Sequence, residues 1–422
     1  MTKSQFKDAL LRGQGRCIKA CQNDPDRYIS VVLWACGHEV SFDTQCEGSR
    51  AWFVYQLICC YCNKFVFREK VIESLRKAKS DGGWKVLYLA ELLYHFVHEG
   101  DKSAEQEVWG KYQELYHSLQ KRKRVSMKFC YERDDFEQLC VILADNKTNM
   151  FKIAEDIGSL YRGKPFIDGW NFEWLYQSKA KKHLKALRKK AETSENVAKF
   201  IQMGTADEEK LEVPVVNETP RLLSIRLRRN ADKETILKYV SAYLEKEDLV
   251  ERTEALEVFT RCPYPDDPRP IISDAESEYS QLSEVAWEAL ENIEHPVVRE
   301  FAKQKMYTDT EKVLPVFISN YREEDEKELV KVVKSIPVDF NCSTSWHGIH
   351  LQLLDMEERG KKVPSDLLYY IVEKTYCSCC REHALQQMGK RKLLTTELLE
   401  ECLYDSNEDI RKYAKRKIKC RR

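Results

Sequence analysis

The fold is decided by a five-residue stretch that recurs: Val298-Arg299-Glu300-Phe301-Ala302, Cys380-Arg381-Glu382-His383-Ala384 and Ile410-Arg411-Lys412-Tyr413-Ala414. Each copy puts an arginine and, three residues on, an alanine on one helical face, with an apolar residue or a cysteine just ahead. A looser copy, Arg252-Thr253-Glu254-Ala255, precedes them. The arginines are spaced by 47, 82 and 30 residues, and the long gap leaves room for a degenerate copy around Ser345-Trp346-His347-Gly348. Two copies carry helix-start signals. His295-Pro296 places proline in a first turn, and Ser406-Asn407-Glu408-Asp409 offers an N-cap followed by acids.

Outward from these copies, the helical period persists. Phe136, Leu139, Cys140, Leu143 and Ala144 form one apolar stripe, as do Ile236, Val240, Tyr243 and Leu244, and Leu398, Leu399, Cys402 and Leu403. Alternation of period two is not sustained anywhere. With only 15 Gly and 12 Pro in 422 residues, turns are scarce. The chain therefore reads as all-α, built of helices on short links.

The pattern Ile/Val-Arg-x-x-Ala, led by an acid or amide, resembles the second helix of a HEAT repeat, of the armadillo-type α-solenoid superfamily. Periods of about 40–47 residues made of helix pairs mark such arrays. The resemblance covers about residues 245–420. The N-terminal third has pairs of similar length near 8–36, 49–76, 84–98 and 104–120, in degenerate form. What it implies is a superhelical solenoid of roughly eight or nine antiparallel helix pairs with a concave inner face. It also implies that Arg299, Arg381 and Arg411 brace neighbouring helices.

Four segments are expected: degenerate helix pairs over 1–125, a middle helical segment over 126–204, a linker or surface loop at 205–220, and C-terminal repeats over 221–422. The linker carries acids, Pro214 and Pro220, and no stripe. A second break holds Pro263, Pro265, Pro268 and Pro270.

Lys+Arg and Asp+Glu are 69 each, so no global field draws the chain to nucleic acid. The first residues lack the apolar core of a secretory signal, and no apolar run approaches a membrane span. The 16 cysteines include several inside helical stripes, where a reduced thiol packs as a small hydrophobe, so the expected setting is cytoplasmic and reducing. No membrane partner is expected.

Four clusters are candidates for chemistry. Lys179 to Lys190 is basic without an acid; Lys181, Lys182, Lys185, Arg188 and Lys189 form a solvent-facing set behind the aromatics Trp170, Phe172, Trp174 and Tyr176 and the acid Asp168. Basic charge beside aromatics suits phosphate contact with base stacking. Further basic patches stand at Lys121–Arg124 and at Arg221, Arg226, Arg228 and Arg229. His38, Glu39, Asp43, Glu47 and Arg50 gather ionisable groups that could do general acid–base work in a cleft, and whose simpler reading is a helix start with an internal ion pair. Cys377, Cys379, Cys380 and His383 are metal-like in kind, but Cys380 and His383 fall on packing positions of the repeated helix. Cys59, Cys60 and Cys62 are likewise expected in the core. No metal, cofactor or catalytic residue is assigned.

Phosphate loops, G-x-S-x-G and H-E-x-x-H are not found. The expected function is a non-catalytic scaffold or adaptor that binds a macromolecule, a protein first, along its surface. The alternative is a nucleic-acid-binding HEAT-like protein of the DNA glycosylase type, using the 179–190 helix and its neighbouring aromatics.

Overall fold

The computed structural model describes residues 1–121, 126–160, 170–205, 227, 232–340 and 343–421, with the side chains of 170, 171 and 343–345 set aside. Among the described residues there are twenty-five α-helices and no strand. None of these helices is long and apolar enough to cross a membrane. The chain forms two compact units, Met1–Glu209 with Thr395–Arg422, and Lys210–Leu394. The linker at 206–220 and the arginines at 221, 226, 228 and 229 lie outside the described residues, as do 122–125.

In the first unit, helices Ala51–Ile58, Lys85–His98, Met127–Leu143 and Trp170–Ser178 form one row in which each packs on the next. Behind it stand Phe65–Lys77, Lys102–Lys121 and Lys147–Leu160, and Glu195–Thr205 packs on the last of these. The apolar stripes explain the layering. In Lys85–His98, Val86, Leu89, Leu93 and Phe96 are buried together with Tyr88 and Leu92, so this helix is covered on nearly all sides and serves as the spine of the unit. Tyr88 spends its hydroxyl on the Ala35 carbonyl at 2.7 Å, which satisfies the one polar atom its burial strands.

The last two helices, Thr396–Cys402 and Glu408–Lys419, belong to this first unit and pack on its beginning. Ser406 N–H donates to the Gly13 carbonyl at 2.8 Å, Arg16 pairs with Glu401 at 2.7 Å, and the Arg411 guanidinium lies 3.6 Å from the centre of the Trp52 ring. Approach this close needs glycine. A Cβ on Gly15 would sit 2.1 Å from the Glu401 carbonyl oxygen, and Gly13 adopts φ +69°.

In the second unit, helices Leu249–Leu256, Ser280–Leu290, Thr310–Ser319, Ser343–Asp355 and Ser378–Lys390 each touch the next of that series. The alternate helices Arg269–Ala275 and Pro296–Lys305 touch each other, and so do Glu326–Ser335 and Ser365–Lys374. The start signals work as read: Pro296 stands at the first position of its helix with His295 Nδ1 accepting from Val297 N–H, and Asn407 accepts from Asp409 and Ile410 N–H.

Two of the recurring arginines, Arg299 and Arg252, brace their helices through an aspartate. Arg299 makes a two-pronged pair with Asp325 at 3.0 and 2.6 Å, and the two are 8% and 3% exposed. Arg252 reaches both oxygens of Asp274 from its Nε alone, at 3.0 and 2.8 Å. Arg381 is buried at 1% exposure. Arg411 departs from the pattern: its guanidinium donates to the backbone carbonyls of Asp405 and Ser406 at 2.7 Å each. Cys59 and Cys62, expected in the core, are exposed where the Ala51–Ile58 helix has ended. The apolar stripe of that helix stops at Ile58, and the thiols fall in the turn beyond it.

Gly15→Ala should therefore separate the terminal helices from the first turn of Arg16–Asn23. The expected cost is about 1–3 kcal/mol, read as a lower urea midpoint and as earlier proteolytic release of the 395–422 segment.

Candidate functional site

A groove crosses the front row of the first unit. Its near rim is the loop before the Ala51–Ile58 helix, and the ionisable cluster read from sequence holds that loop. Asp43 accepts from Gln45 and Cys46 N–H at 3.0 and 3.2 Å, so it caps the short helix Thr44–Glu47. Glu47 accepts from Phe42 N–H at 2.7 Å, and each of its two oxygens accepts from Arg50 Nη2 at 2.9 Å. Arg50 also donates to the Val40 carbonyl at 3.1 Å and to the Leu11 carbonyl. These groups are consumed by the backbone they hold.

The loop presents Ser49 to a cavity of about 490 Å³ whose apolar walls are Trp84, Leu87, Val141, Ile142 and Trp174. Glu91 and Gln138 supply polar atoms to it. A second cavity of about 430 Å³ shares Ser49, Glu91, Val141 and Ile142 with the first and continues to Trp52, His95, Asp145 and Lys179. Together they make one channel, apolar in the middle and charged towards Lys179.

Its electrostatics follow from burial. Burial pushes the Glu91 carboxyl up to about 7, with the Ser49 hydrogen bond working against this and the charge of Glu39 adding to it. Near neutrality Glu91 is thus a proton donor as often as an anion. Burial and the neighbouring His98 push His95 down to about 4, so its ring is neutral. The Gln138 Oε1 is buried with no hydrogen-bond partner, an acceptor that an incoming N–H or O–H would satisfy.

Of the binding residues read from sequence, Trp174 is in this groove and 53% exposed. Lys181 and Lys182 lie on the short 3₁₀ helix Ala180–His183, and Lys185, Arg188 and Lys189 on Leu184–Ala191; all five are exposed. Leu187, on the opposite face, is fully buried. The stripe is solvated, as its spacing requires. Trp170 lies on the Trp170–Ser178 helix but its side chain is outside the described residues, and so is Asp168. Phe172 and Tyr176 are no stacking platform: both are buried against Phe200, with ring centres 5.6 and 6.0 Å away.

Sequence reasoning missed Trp84, Glu91 and Gln138. One of them, Glu91, sits as a lone polar residue in the apolar stretch Leu89-Ala90-Glu91-Leu92-Leu93, a signal for a polar group turned into a groove; Gln138, next to Glu137, gives no such signal. Nothing in the spacing says that they share one.

The cysteine cluster is rearranged relative to its sequence reading. Cys377 stands at the N-cap position of the Ser378–Lys390 helix and Cys380 follows in its first turn. Their partner is His347 of the Ser343–Asp355 helix, with Nδ1 3.4 Å from the Cys380 sulfur. His383 is turned to Gln387 at 3.3 Å.

Comparisons of the chain with family models, with curated proteins and with solved structures give no match.

The Glu91 carboxyl carries a pH signature. Its folded value, about 7, lies above the ordinary ~4.3 of an unfolded glutamate. Between those values the folded chain holds a proton that the unfolded chain has released, so stability falls as pH rises through that window and stays lower above it. Glu91→Gln should be more stable than the wild type at about pH 8, by on the order of 1–3 kcal/mol. The difference should vanish near pH 4, as thermal unfolding at both ends of the range will show.

Proposed function

We propose that the two units are HEAT-like α-solenoid segments, roughly eight or nine helix pairs over the chain, and that the protein is a non-catalytic scaffold binding a protein partner in the groove of its first unit. What carries this reading is the groove itself. Trp84 and Trp174 flank an apolar channel with few polar atoms, and Trp174 stands half out of it. Wide apolar pockets edged by tryptophan are where a partner's aromatic or aliphatic anchor concentrates binding energy. Glu91 and Gln138 would fix the orientation of that anchor by hydrogen bonds. The rows of helices touching their next-but-one neighbours support the solenoid part of the proposal. Buried thiols such as Cys17, Cys36 and Cys140, whose pKa values burial pushes upward, support a cytoplasmic, reducing setting.

A second reading rests on a specific observation: the five basic side chains on 181–189 are all exposed, and Lys179 enters the groove. These are the attributes of a nucleic-acid-binding HEAT-like protein of the DNA glycosylase type, with the groove receiving a base. The charge balance of the whole chain favours the protein partner.

A photo-reactive amino acid in place of Leu87 separates the two in living cells. The expected adduct is a protein band that resists nuclease and is lost on Trp174→Ala. On duplex DNA the purified chain should bind only non-specifically, at roughly 10⁻⁴–10⁻⁶ M in physiological salt. Submicromolar duplex affinity would reverse the ranking. It would have to show a log–log salt slope near −2.7, for about three phosphate contacts, and be abolished by reversing Lys181, Lys185 and Arg188 to Glu.

A further inference from the structure

From the side chains of His347, Cys377 and Cys380 we infer a zinc-binding centre in the second unit, which ties the Ser343–Asp355 helix to the start of Ser378–Lys390. One ligand atom from each of the three residues lies within 4.8 Å of the others, and one pair, Cys380 Sγ and His347 Nδ1, is at 3.4 Å. Tetrahedral zinc with sulfur at about 2.3 Å and nitrogen at about 2.0–2.1 Å sets its ligand atoms roughly 3.5–3.8 Å apart. The group is thus within about an ångström of a coordinating arrangement.

The donor chemistry points the same way. Two thiolates and an imidazole suit zinc rather than magnesium or calcium, which take oxygen. Cys377-Ser378-Cys379-Cys380 supplies the short-range half of the site, a Cys-x-x-Cys pair, at the N-terminal end of a thirteen-residue helix. That end carries the partial positive charge which favours the ionised thiols a metal requires. Cys377 and Cys380 are each 1% exposed; a buried pair of sulfurs facing a ring nitrogen is a poor apolar contact and a good ligand set. Binding the ion releases the two thiol protons to solvent and leaves a neutral Zn(S⁻)₂N centre, so the buried charges cancel. Cys379 is the exposed residue between the two ligands, and its thiol or a water would complete the fourth position. Cys380 and His383 were assigned to packing on the repeat pattern alone. His347 comes from a different helix, and no reading of the 377–383 segment could bring it in.

The test uses the full chain, purified without a polyhistidine tag under reducing conditions. Elemental analysis should find about one zinc per chain, and replacing it with cobalt should give thiolate-to-cobalt charge-transfer absorption with the intense visible bands of a tetrahedral site. His347→Ala and the double substitution Cys377→Ser, Cys380→Ser should each lower zinc by about tenfold or more, whereas His383→Ala should leave it unchanged. Should the cysteine variant fail to fold by circular dichroism, the cobalt spectrum of the wild type and the zinc content of His347→Ala decide. Loss of charge-transfer intensity in Cys379→Ser assigns the fourth position to its thiol, and an unchanged spectrum assigns it to water. The inference is overturned if reduced wild type, reconstituted with zinc, holds less than about a tenth of an equivalent. It is equally overturned if zinc persists in His347→Ala, or if Cys377 and Cys380 prove to cycle only as a disulfide.

Discussion

The second unit depends on a guanidinium held against an aspartate, once in Leu249–Leu256 and again in Pro296–Lys305. Arg299 with Asp325, and Arg252 with Asp274, each join one helix to an element some twenty-five residues on. Arg50 Nη2 donates to both oxygens of Glu47 within the loop that rims the groove. Such pairs add little net stability over an apolar contact, because both charges must leave water. Their value lies in direction. Two parallel hydrogen bonds, as Arg299 makes to Asp325, fix an angle and a register, and a slipped helix would leave both charges buried and unpaired, at several kcal/mol. Burial pushes the Asp325 carboxyl up, but hydrogen bonds from Arg299, Lys303 and Arg322 N–H outweigh it and hold it below its ordinary value. Above about pH 4 the pair is fully ionised and contributes; it weakens as acid protonates the aspartate.

Helices held in register present matching faces along a row, and in the first unit the front row leaves a gap between Lys85–His98, Met127–Leu143 and Trp170–Ser178 that their side chains do not fill. The gap keeps an apolar interior with one protonatable acid and one unpaired acceptor. A folded chain tolerates such an arrangement where something else is to be seated.

How much of this could be read from sequence differs by level. The helical class was plain from the stripes and from the scarcity of glycine and proline. The brace was visible as a repeated Arg-x-x-Ala, though Arg411 shows the limit of the pattern: near the end of the chain its guanidinium turns to backbone carbonyls and to Trp52. The basic stripe at 181–189 could be read because one helix carries it. The groove and the His347–Cys377–Cys380 cluster could not, since each gathers residues from helices far apart in the chain, and spacing carries no information about which helices will touch. Phe172 and Tyr176 failed as a stacking surface for a related reason: an aromatic run says nothing of which side the next helix will cover.

The account stands on the brace, and a double-mutant cycle on Arg299 and Asp325 measures it. Urea unfolding of the wild type, Arg299→Ala, Asp325→Ala and the double variant gives the coupling between the two side chains. A coupling of about 2–3 kcal/mol is predicted, with the double variant more stable than the sum of the single losses implies. A coupling below about 0.5 kcal/mol would contradict the account, since the two residues would then act independently and the register would have to be set elsewhere.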